Sequence, residues 1–277
     1  MPVAVRRSAV PCGTAGDDEM KTLWKLAVVA VSMLSAVLFA AEASAQAAKP
    51  AEARNVVLVH GAWADGSSWT EVISRLQAAG LHVTAVQNPL TSLADSAAAT
   101  RRALALQDGP TVLVAHSWGG TVISETGMDP KVTALVYVAA RAPDAGEDFG
   151  ALSGKFPTMP VRAGVQERDG FTNLSEEAFL KYFANGVAHE KAEVLYAEQE
   201  PTAAALFGGR TTVAAWRSKP SWYAVSKLDQ TISPDLERFL AARMKATTVE
   251  LEAGHLSLVS HPREIADLIL AAAARGK

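Results

Sequence analysis

Short runs of apolar, mostly β-branched residues alternate along the chain with segments whose apolar residues recur at helical spacing. The apolar runs lie at 56–59, 82–86, 111–115, 132–138, 222–225 and 247–251, and the helical segments at 67–79, 92–106, 121–126, 234–243 and 262–274. Strands that are apolar on both faces are typical of a parallel sheet covered by helices on both sides. The alternation therefore predicts an α/β fold with a mostly parallel, doubly wound sheet of about six strands.

Residues 148–212 interrupt this alternation. They hold short aromatic and aliphatic patches without clear strands, and Ser175 followed by two glutamates is typical of a helix start. We expect a helical lid, inserted before the fifth strand, over the sheet edge where ligands bind in open α/β folds. Residues 54–147 and 213–277 then form the core.

The first 45 residues have the pattern of a secretory signal peptide. A basic stretch precedes an apolar run at 26–41, and the small residues Ala43-Ser44-Ala45 follow as a cleavage pattern. Residues 1–19 precede a second methionine, Met20, which is followed by a typical signal start. We therefore interpret residues 1–19 as the result of a start codon assigned too early. The apolar run is shorter than the roughly 20 residues that span a membrane. The sequence thus predicts a periplasmic or secreted protein without a stable anchor after cleavage, and a linker at 46–53.

Composition and charge exclude several classes of function. The 277 residues are 49% hydrophobic and 20% charged, with a net charge of −3, which is typical of a globular protein. This balance leaves no basic stripe for nucleic acid. The single cysteine, Cys12, precedes the predicted cleavage point, so the exported chain has no disulfide. We expect a small-molecule partner and leave the oligomeric state open.

One apolar run leads directly into a serine flanked by small residues, in Ala115-His116-Ser117-Trp118-Gly119-Gly120. The spacing matches a nucleophile elbow, a sharp strand-to-helix turn that exposes a serine hydroxyl, with Ala115 in place of the usual first glycine. We expect the residues two before and two after the serine to pack against each other, which requires small side chains. The alternative is a serine that caps a helix after a buried strand.

Two later loops contain candidate partners for this serine. His255 follows the last strand and can take the proton of Ser117 as a general base, with His261 as its rival. Asp229 follows the fifth strand and can orient the imidazole, with Asp144 after the fourth strand as the alternative acid. The order serine, aspartate, histidine is typical of one hydrolase fold.

The loop after the first strand, His60-Gly61-Ala62-Trp63, is a candidate for binding a developing negative charge. An oxyanion in acyl transfer needs two backbone N–H donors, and we predict those of Ala62 and Trp118. We interpret His60 as structural, holding this loop by hydrogen bonds. Trp63 and Trp118 are candidates for an apolar wall of the substrate pocket. No motif places an arginine or lysine against a substrate, so a small, neutral and apolar substrate is expected.

Together these motifs and the segment from Gly254 to Pro262 resemble the α/β-hydrolase family over about residues 54–275. More narrowly, they resemble its branch of plant methyl esterases and hydroxynitrile lyases. The resemblance implies a serine hydrolase that cleaves carboxylic esters through an acyl-enzyme at Ser117, without a metal or organic cofactor. The plant lyases carry a lysine directly after the catalytic histidine, where this chain has Leu256. A lyase or cofactor-free oxygenase on the same scaffold, or a ligand-binding protein that retains the triad, are the alternatives.

Overall fold

A computed structural model describes residues 52–274 of the chain. The predicted signal peptide at 1–45, including the start assignment within it, lies outside the described residues, as does most of the predicted linker at 46–53. Within the described part, no helix combines the length and the hydropathy that crossing a bilayer requires.

The strands form two separate sheets. In chain order they are β1 (Asn55–Val59), β2 (His82–Val86), β3 (Thr111–His116), β4 (Val132–Val138), β5 (Val165–Arg168), β6 (Phe171–Leu174), β7 (Thr202–Ala203), β8 (Ser221–Ser226) and β9 (Thr247–Leu251). The large sheet has the order β2-β1-β3-β4-β8-β9, and every pair of neighbours in it is parallel. The predicted parallel sheet of about six strands is therefore confirmed.

The helices belong either to the core around the large sheet or to the insertion between β4 and β8. They are α1 (Thr70–Ala78), α2 (Leu93–Ala105), α3 (Gly119–Thr126), α4 (Phe149–Ser153), α5 (Glu176–Ala178), α6 (His189–Ala197), α7 (Pro234–Met244), α8 (Ser257–Ser260) and α9 (Pro262–Ala273). Helix α1 packs against α9, and α2 packs against α3. Every residue of β1, β3 and β8 is buried. Burial of both faces of these strands explains why their sequences are continuously apolar rather than alternating.

The insertion between β4 and β8 contains short helices, as predicted, but it also contains strands. Strands β5, β6 and β7 form a small antiparallel sheet, so the expectation of a lid without strands is corrected. Asp169 and Gly170 both have positive φ, which forms the two-residue turn between β5 and β6. All four residues of β5 are exposed. The strand therefore lacks the apolar alternation by which strands are usually recognised.

Candidate active site

The turn between β3 and α3 holds Ser117 in a strained backbone conformation. Its φ is 53°, in the left-handed region that side-chain-bearing residues rarely adopt. The Ser117 N–H donates to the carbonyl of Val138 at 3.2 Å, and its own carbonyl accepts from the N–H groups of Gly120 and Arg141 at 3.1 and 3.0 Å. The serine backbone is thus held from the end of β4 and from the first turn of α3.

Two glycines are required where α3 begins, because the neighbouring backbone comes very close. A Cβ on Gly119 would lie 2.8 Å from the carbonyl oxygens of both Val59 and His60, at the end of β1. A Cβ on Gly120 would lie 1.9 Å from the carbonyl oxygen of Arg141. These closest contacts come from β1 and from the loop after β4. The contact expected between Gly119 and Ala115, which lie two residues after and two residues before Ser117, is not among them.

Three predicted side chains form a hydrogen-bonded row at the carboxyl ends of β3, β8 and β9. His255 Nε2 lies 2.8 Å from Ser117 Oγ, and His255 Nδ1 lies 2.6 Å from Asp229 Oδ2. All three residues are buried, with Ser117 the most exposed at 6%. An N–H on Nδ1 that donates to the carboxylate leaves Nε2 as an acceptor for the serine hydroxyl, which is the arrangement a general base needs.

The backbone after β8 orients the carboxylate of this row. Asp229 Oδ1 accepts the N–H groups of Thr231 at 2.6 Å and Ile232 at 2.8 Å. The other oxygen is thereby directed to His255. Backbone donors at such distances hold a carboxylate in one orientation.

The two rival residues lie elsewhere. Asp144 Oδ1 accepts from Arg217 Nε at 2.7 Å, and this hydrogen bond, with the charge of Arg217, lowers the pKa of Asp144. His261 Nδ1 lies 2.9 Å from the hydroxyl of Ser260. Among the hydrogen bonds of residues 52–274, neither rival contacts Ser117 or His255. The geometry therefore selects Asp229 and His255.

The loop after β1 passes directly beside the serine. A Cβ on Gly61 would lie 2.6 Å from Ser117 Cβ, so only glycine permits this approach. In the described part of the chain, the backbone N–H groups of Ala62 and Trp118 have no hydrogen-bond acceptor. Both residues line, with Ser117, a cavity of about 320 Å³. Two free amides beside a serine hydroxyl are what an oxyanion hole requires.

His60 holds this loop, as expected from the sequence. Its Nε2 accepts the N–H of Asn88 at 2.8 Å, which leaves Nδ1 to donate to the carbonyl of Gly61 at 3.0 Å. Burial lowers the pKa of His60, so the ring is neutral and can serve both contacts.

Trp63 joins the loop after β1 to the lid. Its backbone N–H donates to Thr202 Oγ1 at 3.0 Å, and its indole Nε1 donates to Thr172 Oγ1 at 3.1 Å. Its ring centroid lies 5.3 Å from that of Phe207. Trp63, Trp118 and Phe207 all line the cavity beside the serine. The two tryptophans predicted as pocket walls are therefore at the pocket, where they form an apolar surface.

Two buried groups behind the row were given no role from the sequence. His116 donates its Nε2–H to the backbone carbonyl of His255 at 3.0 Å, and the two ring centroids are 4.6 Å apart. Burial and the neighbouring His255 hold the pKa of His116 well below its ordinary value. Glu237 on α7 is fully buried beside Asp229 and accepts the N–H of Ser226 at 3.0 Å. The signal for Glu237 was its place next to Leu236 on the buried stripe of α7.

Two arginines at the cavity were also missed. Arg141 lies in the loop after β4, and Arg162 lies in the lid, within a 3₁₀ turn at Pro160–Gly164. Arg141 follows a buried strand at the carboxyl edge of the sheet, which is where ligand-binding residues are concentrated in such folds. Its position in the sequence was therefore the signal that could have identified Arg141 as a ligand-binding residue.

The chain belongs to the alpha/beta hydrolase family, whose sequence profile matches residues 56–268. It is similar to Esterase PIR7B of Oryza sativa subsp. japonica, with 26% identity over 256 residues, covering 77% of this chain and 91% of that protein. It is also similar to putative methylesterase 19 of Arabidopsis thaliana, with 27% identity over 256 residues, covering 79% of this chain and 97% of that protein.

Solved structures share the same fold. The crystal structure of polyneuridine aldehyde esterase matches with a TM-score of 0.67 and 20% identity, covering 79% of this chain and 98% of that chain. These comparisons confirm the predicted family and its resemblance to methyl esterases. The two esterases among the relatives support the class of carboxylic ester hydrolase.

Proposed function

We propose that this protein is a serine esterase that cleaves carboxylic esters through an acyl-enzyme intermediate on Ser117. The observation that carries the proposal is the row from Ser117 through His255 to Asp229, with contacts of 2.8 and 2.6 Å. The esterases among its relatives support the same reaction class.

Each residue of the row has one task in the first half of the reaction. Ser117 Oγ attacks the ester carbonyl carbon while its proton passes to His255 Nε2, and Asp229 stabilises the imidazolium that results. The carbonyl oxygen becomes an oxyanion and accepts the N–H groups of Ala62 and Trp118. The tetrahedral intermediate then breaks the bond to the alcohol oxygen, which takes the proton from Nε2.

Water completes the cycle with the same groups. His255 takes a proton from water, the resulting hydroxide attacks the acyl carbon, and the oxyanion again binds the Ala62 and Trp118 amides. When this second intermediate collapses, Ser117 Oγ leaves and recovers its proton from Nε2, and the carboxylic acid departs.

The cavity favours a small ester with an apolar part. Its volume of about 320 Å³ lies at the low end of ligand pockets, and the rings of Trp63, Trp118 and Phe207 line it. The expectation of a neutral substrate depended on the absence of a cation placed by a motif. Arg141 and Arg162 both line this cavity, so it offers positive charge as well as apolar surface.

Hydrolysis of p-nitrophenyl acetate and butyrate by the purified chain tests the proposal. We expect turnover that is abolished in Ser117→Ala and blocked by an organophosphonate, whose mass is found on the peptide containing Ser117. Hydrolysis that persists in Ser117→Ala would contradict the assignment. Tight ligand binding without turnover, retained in Ser117→Ala, would instead favour a binding protein.

We further propose that the protein is exported, on the strength of the basic, apolar and small-residue segments before Gln46. Expression of the whole chain in a Gram-negative host, followed by fractionation and intact-mass measurement, tests this. We expect a periplasmic product that begins at Gln46. A cytoplasmic product that retains the earlier residues would contradict it, and a variant starting at Gln46 is the cytoplasmic control.

A further inference from the structure

A second cavity, of about 220 Å³, adjoins the one that contains Ser117. The two cavities share four lining residues, Arg141, Arg162, Thr231 and Ile232. Within the described chain, no aspartate or glutamate lines the second cavity, and the first has one acid, the exposed Glu167. A ligand with its ester at Ser117 can therefore extend into a region of positive charge.

Among the described residues, neither arginine has a carboxylate partner. Across residues 52–274, no aspartate or glutamate lies within ion-pair distance of either guanidinium. By contrast, the partly buried Arg243 pairs with Glu147 at 2.7 Å. Arg141 is half-buried, whereas Arg162 is exposed. A half-buried cation such as Arg141 is normally paired, because water no longer stabilises its charge fully.

Aromatic rings hold the Arg141 guanidinium in place. Its central carbon lies 4.9 Å from the ring centroid of Phe149 and 5.2 Å from that of Phe207, and Nη1 lies 3.5 Å from the Phe207 carbonyl oxygen. Burial and the charge of Arg162 lower the pKa of Arg141 to about 10. The Arg141 guanidinium is therefore still protonated at neutral pH, but burial destabilises its charge. A bound anion would stabilise that charge.

The backbone fixes Arg141 relative to the reacting hydroxyl. Its N–H donates to the carbonyl of Ser117 at 3.0 Å. The preceding residue, Ala140, is held on both sides by the Tyr223 hydroxyl, which accepts its N–H at 3.0 Å and donates to its carbonyl at 2.6 Å. The base of this side chain is therefore set by the ends of β3, β4 and β8, which form the rigid centre of the sheet.

Two further polar residues line the second cavity. Thr231 lines the second cavity, and its Oγ1 has no hydrogen-bond partner in the described part of the chain. Ser233 lines it too, and this residue precedes α7 without capping it by its side chain. Uncapped N–H groups at a helix start attract negative charge. These groups supplement the two arginines.

We infer that the substrate is an ester that also carries a carboxylate, several bonds from the scissile carbonyl, which Arg141 and Arg162 bind in the second cavity. This inference rests on the proposed function and replaces the neutral ester expected from the sequence. Arg141 contributes from the core and Arg162 from the lid, so the anion contacts both parts of the fold. Both arginines are assigned to binding rather than to the chemical step.

Matched substrate pairs test the inference. On the acyl side, the pair is the mono-4-nitrophenyl ester of adipic acid, with one free carboxylate, and its neutral carboxamide analogue. On the alcohol side, the pair is the acetate ester of 6-hydroxyhexanoate and that of the corresponding amide, followed by proton release. The measured quantity is the ratio of kcat/KM for the anionic substrate to that for its neutral partner. Because it is a ratio, partial loss of folded enzyme in a variant cancels.

We expect this ratio to be about ten or more for at least one pair, the scale of one charge-assisted hydrogen bond. Arg141→Met and Arg162→Met are expected to reduce it about tenfold, mainly through KM, and Arg162→Lys to reduce it less. Arg168→Met is the matched control, because Arg168 is exposed on the lid strand β5 and lines neither cavity. Ratios near one for both pairs, or ratios unchanged in both methionine variants, overturn the inference.

The same experiment separates the two proposals. Ser117-dependent turnover of the neutral esters with a ratio of one leaves the esterase intact and refutes the carboxylate site. If no ester is cleaved, the esterase proposal fails. Calorimetry of monomethyl adipate with Ser117→Ala then still tests the carboxylate site, which predicts binding that is lost when Arg162→Met is added.

Discussion

Replacing Glu237 by glutamine tests whether a buried, protonated carboxyl group lies behind the triad acid. Glu237 is fully buried, and its Oε2 accepts the N–H of Ser226 at 3.0 Å. Its Oε1 has no N–H or O–H donor among the described residues. Burial, followed by the charge of Asp229, raises the pKa of Glu237 well above its ordinary value, and the hydrogen bond from Ser226 and the charge of Arg238 oppose this less. The folded state therefore favours a protonated Glu237.

Because folding raises the pKa of Glu237, the free energy of unfolding depends on pH. Above about pH 4.5 the unfolded chain loses the Glu237 proton while the folded chain keeps it, so the folded state binds more protons and its stability falls as pH rises. The slope is about 1.4 kcal/mol per pH unit until the folded pKa is reached. Glutamine has the same shape, still accepts from Ser226 and carries no charge at any pH. Glu237→Gln is therefore expected to match the wild type near pH 4 and to exceed its stability by up to about 3 kcal/mol at pH 7.

Urea unfolding of both proteins between pH 4 and pH 8 measures this difference. At pH 7, a gain of about 3 kcal/mol corresponds to a rise in Tm of about 6–12 °C for a domain of this size. Asp235→Asn is the matched control, since it removes an exposed carboxylate from the same helix and is expected to show no such slope. A stability difference between Glu237→Gln and the wild type that stays constant across this range would refute a protonated Glu237.

Three further substitutions test the site and its supports. Asp229→Asn is expected to lower kcat about 10³–10⁴-fold, because an amide does not hold the required imidazole tautomer, whereas Asp144→Asn leaves kcat unchanged; equal losses in kcat would contradict the assigned acid. Gly120→Ala is expected to cost about 2 kcal/mol or more in urea unfolding, because its Cβ would lie 1.9 Å from a carbonyl oxygen. Gly109→Ala, with no atom within 4 Å of the added Cβ, is its silent control, and similar stabilities of the two would oppose the steric argument. Thr172→Val removes the acceptor of a buried indole N–H and is expected to cost about 1–3 kcal/mol; an unchanged Tm would show that this hydrogen bond adds nothing.

The large sheet and the row of three side chains were predictable because both depend on local patterns. Each strand of the sheet centre is apolar on both faces, and Ser117, Asp229 and His255 each follow the carboxyl end of a strand. Parallel strands bring those ends to one edge. Because these three residues each follow the end of a strand, the sequence alone predicted that they lie close together.

The lid sheet and the buried charges were not predictable from such patterns. Strand β5 is fully exposed and has no apolar alternation, although Asp169-Gly170 was a usable turn signal. Glu237 and Arg141 are charged residues whose surroundings depend on partners outside their own elements: Asp229, in the loop before α7, for Glu237, and Phe207, 66 residues along the chain, for Arg141. Charged residues are usually exposed, so their types alone favoured the wrong environment.

The two hydrogen bonds of Trp63 to the lid have a consequence for how ligands enter and leave. Its partners, Thr172 and Thr202, belong to β6 and β7, while its neighbour Ala62 carries a free amide beside Ser117. A lid displaced far enough to break these bonds also releases the backbone that presents this amide. A widely opened conformation would then be catalytically incompetent, so fast turnover requires ligands small enough to exchange while the lid stays docked.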